Sequence, residues 1–292
     1  MIIIADSGTS KTDWALMDDS LMDHPLMDDH SLKAQSLKCK GLNPFFVSKT
    51  DIAESISSTF YHLPSHNDIK QIFFYGAGCH DDEQKKTIHA ILSQIFPSAA
   101  IHVFSDLMGT ARACLKSQEG IFANLGTAAN SGMYNGSFIT RYIRPLGYIL
   151  GDEGSGVYFG KELMKKYLHA ELPKTLERQL EETYKTDRNQ IITDLYASDQ
   201  PNHFLLTFAR FVVDNQNNET IAGMIEKGLD AFFKYYIVSY PDAHRYPLAF
   251  TGSMAYFLKG FLYKVSEKYQ LTIHHIYQST INELIVYHGS VK

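Results

Sequence analysis

Two stretches of the chain share one pattern, and this internal similarity constrains the fold more than any other feature of the sequence. DSGTSKTDWALMDDS begins at Asp6, and NLGTAANSGMYNGSF begins at Asn124. Each has a polar residue, a Gly-Thr pair, a turn of small residues and a second strand, and each opens a β-rich block that a helix-rich block follows. The sequence therefore predicts two related lobes, residues 1–112 and 113–292, with the last helix, at about 280–292, packing back on the first lobe.

Strands and helices alternate along most of the chain. The first hundred residues read as three strands, then helix, strand, helix and strand, and the chain ends in strand, helix, strand and helix. Such alternation is typical of an α/β fold with mostly parallel sheets covered by helices. Ligands of such sheets bind beyond the carboxyl ends of the strands. The residues that we expect at strand ends are Asp6, Gly76, Asp106, Gly126 and Gly252.

Composition argues against several classes of function. The chain has 292 residues, of which 45% are hydrophobic and 20% charged, and no apolar run approaches the ~18 residues that a membrane span requires. A formal net charge of -5 argues against non-specific electrostatic binding to nucleic acid. The N-terminal MIIIAD does not read as a signal peptide. Cys39, Cys79 and Cys114 are isolated, so we expect reduced thiols in a cytoplasmic protein.

The strand ends carry the residue types that phosphoryl transfer needs, namely a metal ligand, N–H donors for the phosphates and a base for the attacking oxygen. Asp6 can hold a hydrated Mg²⁺ ion, and the turns Ser7–Lys11 and Gly126–Ala128 can offer backbone N–H groups. Asp106 is placed to accept a proton from a substrate hydroxyl. The alternative for each acid is an ordinary turn or capping role. No P-loop motif, and no GxGxxG motif between a strand and a helix, occurs in the sequence.

Three further segments have both a functional and a structural interpretation. The adjacent acids of GDEGSG suit either sugar hydroxyls or helix capping by Asp152 or Ser155. In KGLNPF, Asn43 precedes a proline, which is a plain turn signal. Gly252 and Ser253 follow a strand, where they would allow close approach of a nucleotide base, or Ser253 would be a helix N-cap.

Taken together, the motifs DSGTSKTDW, GLNP, FSD, NLGTAANS, GDEGS and FTGS resemble, in this order, the N-acetylglucosamine kinase-like branch of the actin, hexokinase and heat-shock-protein ATPase superfamily. That branch is grouped with the activator ATPases of benzoyl-CoA reductase and 2-hydroxyacyl-CoA dehydratase. The resemblance spans Ile2 to about Gly260. It implies an α/β fold of two ribonuclease H-like lobes, the actin-like ATPase fold, each a mixed five-stranded sheet with helices, with ATP and Mg²⁺ in a cleft between them.

The resemblance also implies roles for particular residues. Asp6 is expected near Mg²⁺, and Asp106 is expected to take the proton of a sugar 6-hydroxyl. The second phosphate loop departs from the family's pattern, since TAANS stands where the kinases tend to carry TGSN. The implied contacts are Ser7, Gly8, Thr9, Ser10, Lys11 and Thr12 in the first phosphate loop, Gly126 and Thr127 in the second, Gly252 and Ser253 at the adenosine, and Asn43, Ser131 and Asp152 at the sugar.

The resulting expectation is an ATP-dependent kinase that phosphorylates the 6-hydroxyl of an amino sugar or N-acetylhexosamine. We expect no nucleic-acid or membrane partner. A homodimer is possible, since relatives in this branch often pair. One alternative is an activator ATPase that couples ATP hydrolysis to electron transfer, for which Cys79 and Cys114 are the only plausible iron–sulfur ligands. A second is a non-catalytic sugar sensor, whose mark would be loss of Asp6 or Asp106. The aromatic segment DAFFKYYIVSY is interpreted as a core helix, with a dimer contact as the alternative.

Overall fold

The computed structural model describes residues 1–18, 34–63 and 66–290. The chain divides into two compact units, each with its own five-stranded sheet. The expected α/β fold class with two mixed five-stranded sheets is therefore confirmed. Unit 1 comprises Met1–Gln118, Gly136–Ile139 and Ser279–Lys292, and unit 2 comprises Glu119–Asn135 and Thr140–Gln278.

The sheet of unit 1 brings three parallel strand ends into one row. Its strands are β1 (Ile2–Ser7), β2 (Lys11–Met17), β3 (Gln35–Lys40), β4 (Gln71–Gly76) and β5 (Ala100–Ser105), in the order β3-β2-β1-β4-β5. Strand β1 is antiparallel to β2 and parallel to β4, which is parallel to β5. Because Ser7 pairs with Gly76 and Gly76 with Ser105, the carboxyl ends of β1, β4 and β5 lie side by side. Between these strands lie α1 (Lys49–Thr59), a 3₁₀ turn at His66–Asp68 and α2 (Asp82–Ile95), and α3 (Asp106–Leu115) follows β5.

The continuous apolar run of β1 is explained by burial on both faces of the sheet, since successive side chains of a strand point to opposite faces. Ile3 belongs to one core cluster, where Trp14 of β2 packs edge-on against Phe60 with ring centroids 5.1 Å apart. Ile2 and Ile4 belong to a second cluster on the other face, together with residues of the C-terminal helix Thr280–Ser290.

The sheet of unit 2 repeats the hairpin-plus-parallel-strand arrangement. Its strands are β6 (Glu119–Leu125), β7 (Ala129–Asn135), β8 (Ile139–Tyr142), β9 (Leu248–Thr251) and β10 (Ile273–Tyr277), in the order β10-β9-β6-β7-β8. Strand β6 is antiparallel to β7 and parallel to β9, as β1 is to β2 and β4. The internal similarity expected from the sequence is therefore present in the topology.

Helices make up most of the remainder of unit 2. They are α4 (Gly147–Leu150), α5 (Gly156–Leu168), α6 (Lys174–Tyr184), α7 (Arg188–Ala197), α8 (Pro201–Thr207), α9 (Ala209–Asp214), α10 (Glu219–Phe232), α11 (Ser253–Phe257) and α12 (Lys259–Lys268). The C-terminal helix of unit 1 is α13 (Thr280–Ser290). Within the described ranges, no helix combines the length and the apolar character that crossing a membrane requires.

The segment DAFFKYYIVSY continues α10 into a π-helical turn, Phe233–Ile237, which closes with a hydrogen bond from Val238 N–H to the Phe233 carbonyl oxygen. Phe233, Tyr236 and Tyr240 are buried in the core of unit 2. The interpretation of this segment as core is therefore confirmed.

A local capping rule accounts for the start of α1. Ser48 caps α1 by accepting a hydrogen bond from Asp51 N–H at 3.1 Å, and its hydroxyl donates to the Asp51 carboxylate at 2.7 Å. Ser48 is therefore the N-cap that the sequence predicts, and Asp51 lies at the predicted third helical position, but its carboxylate accepts from the Ser48 hydroxyl rather than from the Ser48 backbone N–H of a capping box.

Candidate active site

Two carboxylates of unit 1 stand at the row of strand ends. Asp6 is the penultimate residue of β1, and Asp106 directly follows β5 as the first residue of α3. Only β4 separates the two strands. The negative charge of Asp106 is one of the causes that raise the pKa of Asp6. The strand-end placement that the sequence predicts for both acids is confirmed, and it brings them within electrostatic range of each other.

Asp106 is not needed as the cap of α3. Ser105 takes the N-cap role, and its hydroxyl accepts a hydrogen bond from Met108 N–H at 3.3 Å. The Asp106 carboxylate accepts a bond from Leu107 N–H at 2.9 Å, and His80 Nε2 lies 3.8 Å from the same Oδ1 atom. Burial raises the pKa of Asp106, while His80 and the N–H donor oppose that rise. A carboxyl group with a raised pKa suits a general base.

His80 is a neighbour of Asp106 that sequence reasoning considered only as a metal ligand and set aside. It follows Gly78 and Cys79 in the turn after β4, and about half of its side chain is exposed. The sequence signal that points to it is its position just beyond a parallel strand end, the same signal that singles out Asp106.

Asp6 lies in a crowded anionic environment. Burial raises its pKa to about 7, and the carboxylates of Asp13 and Asp106 add to the rise. Asp13 is itself paired with Lys11, whose Nζ atom lies 2.7 Å from Asp13 Oδ2. Such an excess of carboxylates favours a bound cation.

The donor set around Asp6 fits Mg²⁺ shared with phosphates rather than a closed protein cage. Mg²⁺ is usually held by one or two carboxylates together with waters and substrate phosphates. In the part of the chain that the structure describes, no group of three or more His, Cys, Asp and Glu side chains could hold a metal by itself. Asp6 supplies one hard oxygen ligand of the kind that Mg²⁺ prefers.

The turn between β1 and β2 is held in shape by a chain of hydroxyl hydrogen bonds. Thr12 donates to the Lys40 carbonyl at 3.0 Å, so the Ser7 hydroxyl must donate to Thr12 Oγ1 across 2.8 Å. Ser7 Oγ in turn accepts from Leu42 N–H at 3.2 Å. Both hydroxyls are therefore structural, and they tie the turn to the segment that follows β3.

Gly41 allows this close approach. A Cβ atom on Gly41 would lie 2.1 Å from the Thr9 carbonyl oxygen and 2.6 Å from that of Gly8. The turn itself is tight, because Gly8 N–H donates to the Lys11 carbonyl at 2.9 Å, and Thr9 is exposed at its tip. Sequence reasoning missed Gly41, because the contact joins segments that are separated along the chain by all of β2 and β3.

Asn43 follows in the same segment and is 6% exposed. Its Oδ1 atom accepts from Phe45 N–H at 3.0 Å, which is the local turn that Asn-Pro predicts. Gly78, with φ of +82°, passes so close that a Cβ atom there would lie 2.3 Å from Asn43 Oδ1. The turn interpretation is therefore correct for Oδ1, while the side-chain NH₂ group still has two N–H donors for a ligand.

In unit 2, the turn between β6 and β7 is held by the start of α5. Gly126 N–H donates to the Ala128 carbonyl at 3.1 Å. The first two N–H groups of α5, from Gly156 and Val157, donate to the carbonyls of Gly126 and Thr127 at 2.8 and 3.3 Å. These bonds use helix N–H groups that have no partner within the helix, and they orient the turn's carbonyls toward α5.

Gly252 lies against the same turn. It has φ of +110°, and a Cβ atom there would lie 2.4 Å from the Leu125 carbonyl oxygen and 2.6 Å from Asn124 Oδ1. Gly252 is also the N-cap residue of α11, and Ser253 is the first residue of that helix. The alternative of Ser253 as the N-cap is therefore wrong, because the positive φ required at the cap favours glycine.

The choice between sugar contact and helix cap in GDEGS is partly resolved by α5. Ser155 is the N-cap, and its hydroxyl accepts from Tyr158 N–H at 3.1 Å. Asp152 is 4% exposed, has φ of +59°, and its Oδ1 atom has no hydrogen-bond partner. Burial raises the pKa of Asp152 to about 6, Glu153 adds to the rise, and Ala129 N–H opposes it. A buried carboxyl oxygen without a partner is costly unless a ligand supplies a donor.

Ser131 is fully buried and bonded within unit 2. Its hydroxyl donates to the Tyr236 carbonyl at 2.7 Å, so the Tyr240 hydroxyl must be the donor across the 2.9 Å that separates it from Ser131 Oγ. Tyr240 also accepts from Ile143 N–H at 3.2 Å. The one proton of Ser131 is thus committed to the protein.

The fold defines a class of protein. At 17% identity, the chain matches a structure from Chromobacterium violaceum described as a "putative N-acetylglucosamine kinase" with a TM-score of 0.72, covering 98% of each chain. A ROK-family glucokinase from Streptomyces griseus, in complex with glucose and AMPPNP, is 12% identical with a TM-score of 0.54, covering 98% of this chain and 97% of that one. These similarities establish the fold, that of the two-lobed actin-like ATPases.

A third structure establishes the family. The chain is 30% identical to a Porphyromonas gingivalis protein that is also described as a "putative N-acetylglucosamine kinase", with a TM-score of 0.89 over 99% of both chains. The chain belongs to the N-acetylglucosamine kinase-like family of ATP-dependent sugar kinases, as the motifs of the sequence indicate. No family model and no curated protein sequence matches the chain.

Proposed function

We propose that this chain is an ATP-dependent kinase that phosphorylates the 6-hydroxyl of an amino sugar or N-acetylhexosamine. The observation that carries the proposal is the pair Asp6 and Asp106, two partly buried acids with raised pKa values at one row of strand ends. Membership of the sugar kinase family supports the reaction class, and the relatives' descriptions support an N-acetylhexosamine as substrate.

In this proposal Asp106 accepts the proton of the sugar 6-hydroxyl as its oxygen attacks the γ-phosphorus and the bond to the β-phosphate oxygen breaks. Ser105, and not Asp106, caps α3, which supports this assignment because the Asp106 carboxylate is not needed as a cap. Asp6 holds Mg²⁺, which when bound neutralises phosphate charge. His80, beside Asp106, is placed to orient the base.

The two turns of small residues receive the phosphates of ATP. Ser7–Thr12 forms the first loop. The hydroxyls of Ser7 and Thr12 fix its backbone through their hydrogen bonds within the protein. Thr9 and Ser10, at the tip of the loop, face the nucleotide. Gly126 and Thr127 form the second loop. Gly252 and Ser253 form the adenosine segment, and the absence of a side chain at Gly252 supports a close approach there.

The sugar contacts in the proposal are Asn43 and Asp152. Asn43 offers its side-chain NH₂ group, which the turn's hydrogen bond to Oδ1 does not use. Asp152 offers Oδ1, a buried oxygen without a hydrogen-bond partner. We assign Ser131 a supporting part in the same site, because its proton is already donated to the Tyr236 carbonyl.

The test is ATP turnover with a panel of sugars, comparing the wild type with Asp106→Asn. The panel contains N-acetylglucosamine, glucosamine, N-acetylmannosamine, N-acetylmuramic acid and glucose. Sugar-dependent ADP release by the wild type, lost in Asp106→Asn while calorimetry shows that ATP still binds, is the expected result. ATP hydrolysis that is indifferent to every sugar would contradict the proposal.

The activator ATPase is the second candidate, and the cysteines argue against it. Cys79 and Cys114 are 0% and 2% exposed. Burial raises the pKa of Cys79 to about 12, which disfavours the thiolate that a cluster needs. An absorbance shoulder in the visible range in anaerobically purified protein would instead support the activator. The non-catalytic sensor is disfavoured by the presence of both Asp6 and Asp106.

Two further expectations from the sequence remain proposals. A cytoplasmic location is supported by the three free cysteines, Cys39, Cys79 and Cys114. A homodimer is proposed because members of the resembled family often form dimers. Light scattering on the purified protein tests this.

A further inference from the structure

We propose that Tyr236 is a positioning residue that holds the Gly151–Glu153 loop, and so Asp152, in the geometry that receives the sugar. This inference rests on the proposed kinase function, because Asp152 is the sugar contact that Tyr236 would position. Neither the sequence motifs nor the family resemblance singles out Tyr236.

The first observation is the close approach of the Tyr236 hydroxyl to the loop. A Cβ atom on Gly151 would lie 2.9 Å from that hydroxyl and 3.5 Å from Glu153 Oε2. The glycine at position 151 therefore leaves the space that the hydroxyl occupies. Glu153 Oε2 is buried and has no hydrogen-bond partner of its own. Burial, and after it the charges of Glu153 and Asp152, raise the pKa of Tyr236 to about 12, while the Asp152 N–H opposes the rise. Tyr236 therefore remains a neutral phenol that can both accept from the loop's N–H and donate to its carboxylate.

The second observation is the rigidity with which Tyr236 is itself held. Its ring stacks on Phe232 with centroids 5.3 Å apart and an interplanar angle of 16°. Its carbonyl accepts the Ser131 hydroxyl at 2.7 Å. Tyr240, one turn further on, donates to the same Ser131. The tyrosine is thus fixed to β7 at its backbone and to the core at its ring.

The third observation is the π-helical turn Phe233–Ile237, which contains Tyr236. A π turn adds one residue relative to an α-helical turn, so it changes the direction in which the following side chains point, and such turns occur frequently at functional sites. Here the turn allows Tyr236 to present its carbonyl to β7 and its hydroxyl to the loop before α5. The loop needs such support because Asp152 has a left-handed φ of +59° that costs free energy for a residue other than glycine.

The variant Tyr236→Phe tests the inference, because it keeps the stacked ring and removes only the hydroxyl. Loss of one buried hydrogen-bonding group from the support of a binding residue corresponds to about a tenfold change in an equilibrium. We expect the KM for the sugar to rise about tenfold, with the kcat and the KM for ATP within about twofold of wild type. A merely structural role would lower stability without separating the two KM values.

The matched control is Tyr269→Phe. Tyr269 stacks on Phe233, with ring centroids 5.9 Å apart, and its hydroxyl donates to the carboxylate of Asp230 at 2.9 Å. We expect wild-type kinetics in this variant. An equal rise in sugar KM in both variants would overturn the positioning role, because the effect would then belong to the aromatic cluster as a whole.

A second readout separates this inference from the proposed function. Hydrogen–deuterium exchange of the peptide that covers residues 148–158 reports the Asp152 N–H whether or not any sugar is phosphorylated. We expect faster exchange of that peptide in Tyr236→Phe than in wild type and in Tyr269→Phe. Unchanged exchange overturns the positioning role even if the wild type is an active kinase. If exchange is faster in Tyr236→Phe but the wild type phosphorylates no sugar of the panel, the role of Tyr236 in holding the loop is supported and only the kinase proposal is refuted.

Discussion

The substitution Gly41→Ala probes whether the first phosphate turn depends on its contact with the segment after β3. Gly41 does not have a left-handed φ, so the new methyl group acts through its volume and not through backbone strain. That methyl carbon would lie 2.1 Å from the Thr9 carbonyl oxygen and 2.6 Å from that of Gly8, whereas ordinary contacts begin near 3.4 Å. Both obstructing atoms are backbone, so the turn must move rather than a side chain.

The required movement sets the expected magnitude. The Gly8–Thr9 backbone must shift by about 1 Å, and a misplacement of that size in a catalytic arrangement can lower the rate about 10²-fold. We expect Gly41→Ala to raise the KM for ATP and to lower kcat/KM for ATP by about that factor. Overpacking of this kind also lowers the free energy of unfolding by about 1–3 kcal/mol.

The assay is steady-state ADP release at varied ATP, run well below the thermal unfolding midpoint of the variant. The control is Gly223→Ala, since a Cβ atom on Gly223 in α10 would meet nothing within 4 Å. We expect that control to keep wild-type kinetics and to gain about 0.5–1 kcal/mol in stability from the helix. A folded Gly41→Ala protein with wild-type kcat and KM for ATP would refute the reasoning.

Three further predictions concern the acids and the core. Asp106→Asn should lower kcat by about 10²–10⁴-fold, the range for loss of a general base, and equal kcat values in the two proteins would exclude Asp106 as the base. Asp6 has a folded pKa raised to about 7, so its contribution to stability is fully present below its ordinary value of 3.8 and is lost as the pH rises through about 7. Asp6→Asn should therefore raise the melting temperature of the ligand-free protein at pH 8 but hardly at pH 4, and an equal effect at both pH values would contradict this account. Phe60→Ala removes a ring that is 0% exposed and packs edge-on between Trp14 and Phe96, so it should lower the free energy of unfolding in denaturant by about 3–5 kcal/mol, and a loss below about 1 kcal/mol would contradict this packing role.

Features that depend on near neighbours along the chain could be predicted from the sequence. The N-cap at Ser48, the strand-turn-strand hairpin after Asp6 and its repeat after Asn124 all arise from residues that are close in sequence. Because parallel strands carry their carboxyl ends to one edge, the same local pattern also located Asp6 and Asp106. The family resemblance added the fold and the reaction class.

Features that depend on distant segments required the tertiary structure. Sequence alone left a capping role open for Asp106, and for either Asp152 or Ser155. Only the helix geometry assigned the two caps to Ser105 and Ser155. The hydrogen bond from the Ser131 hydroxyl to the Tyr236 carbonyl joins residues 105 positions apart, so no local pattern could show that the Ser131 proton is already donated within the protein.

Burial is the other quantity that the sequence does not contain. The raised pKa values of Asp6 and Asp106 come first from desolvation, which depends on everything packed around a carboxyl group. The sequence by itself thus determined which residue types reach the strand ends. The tertiary structure decided their protonation, the close approach of Gly41 to the phosphate turn and the place of Tyr236 beside the Asp152 loop, because each of these is set by atoms that meet only after the chain has folded.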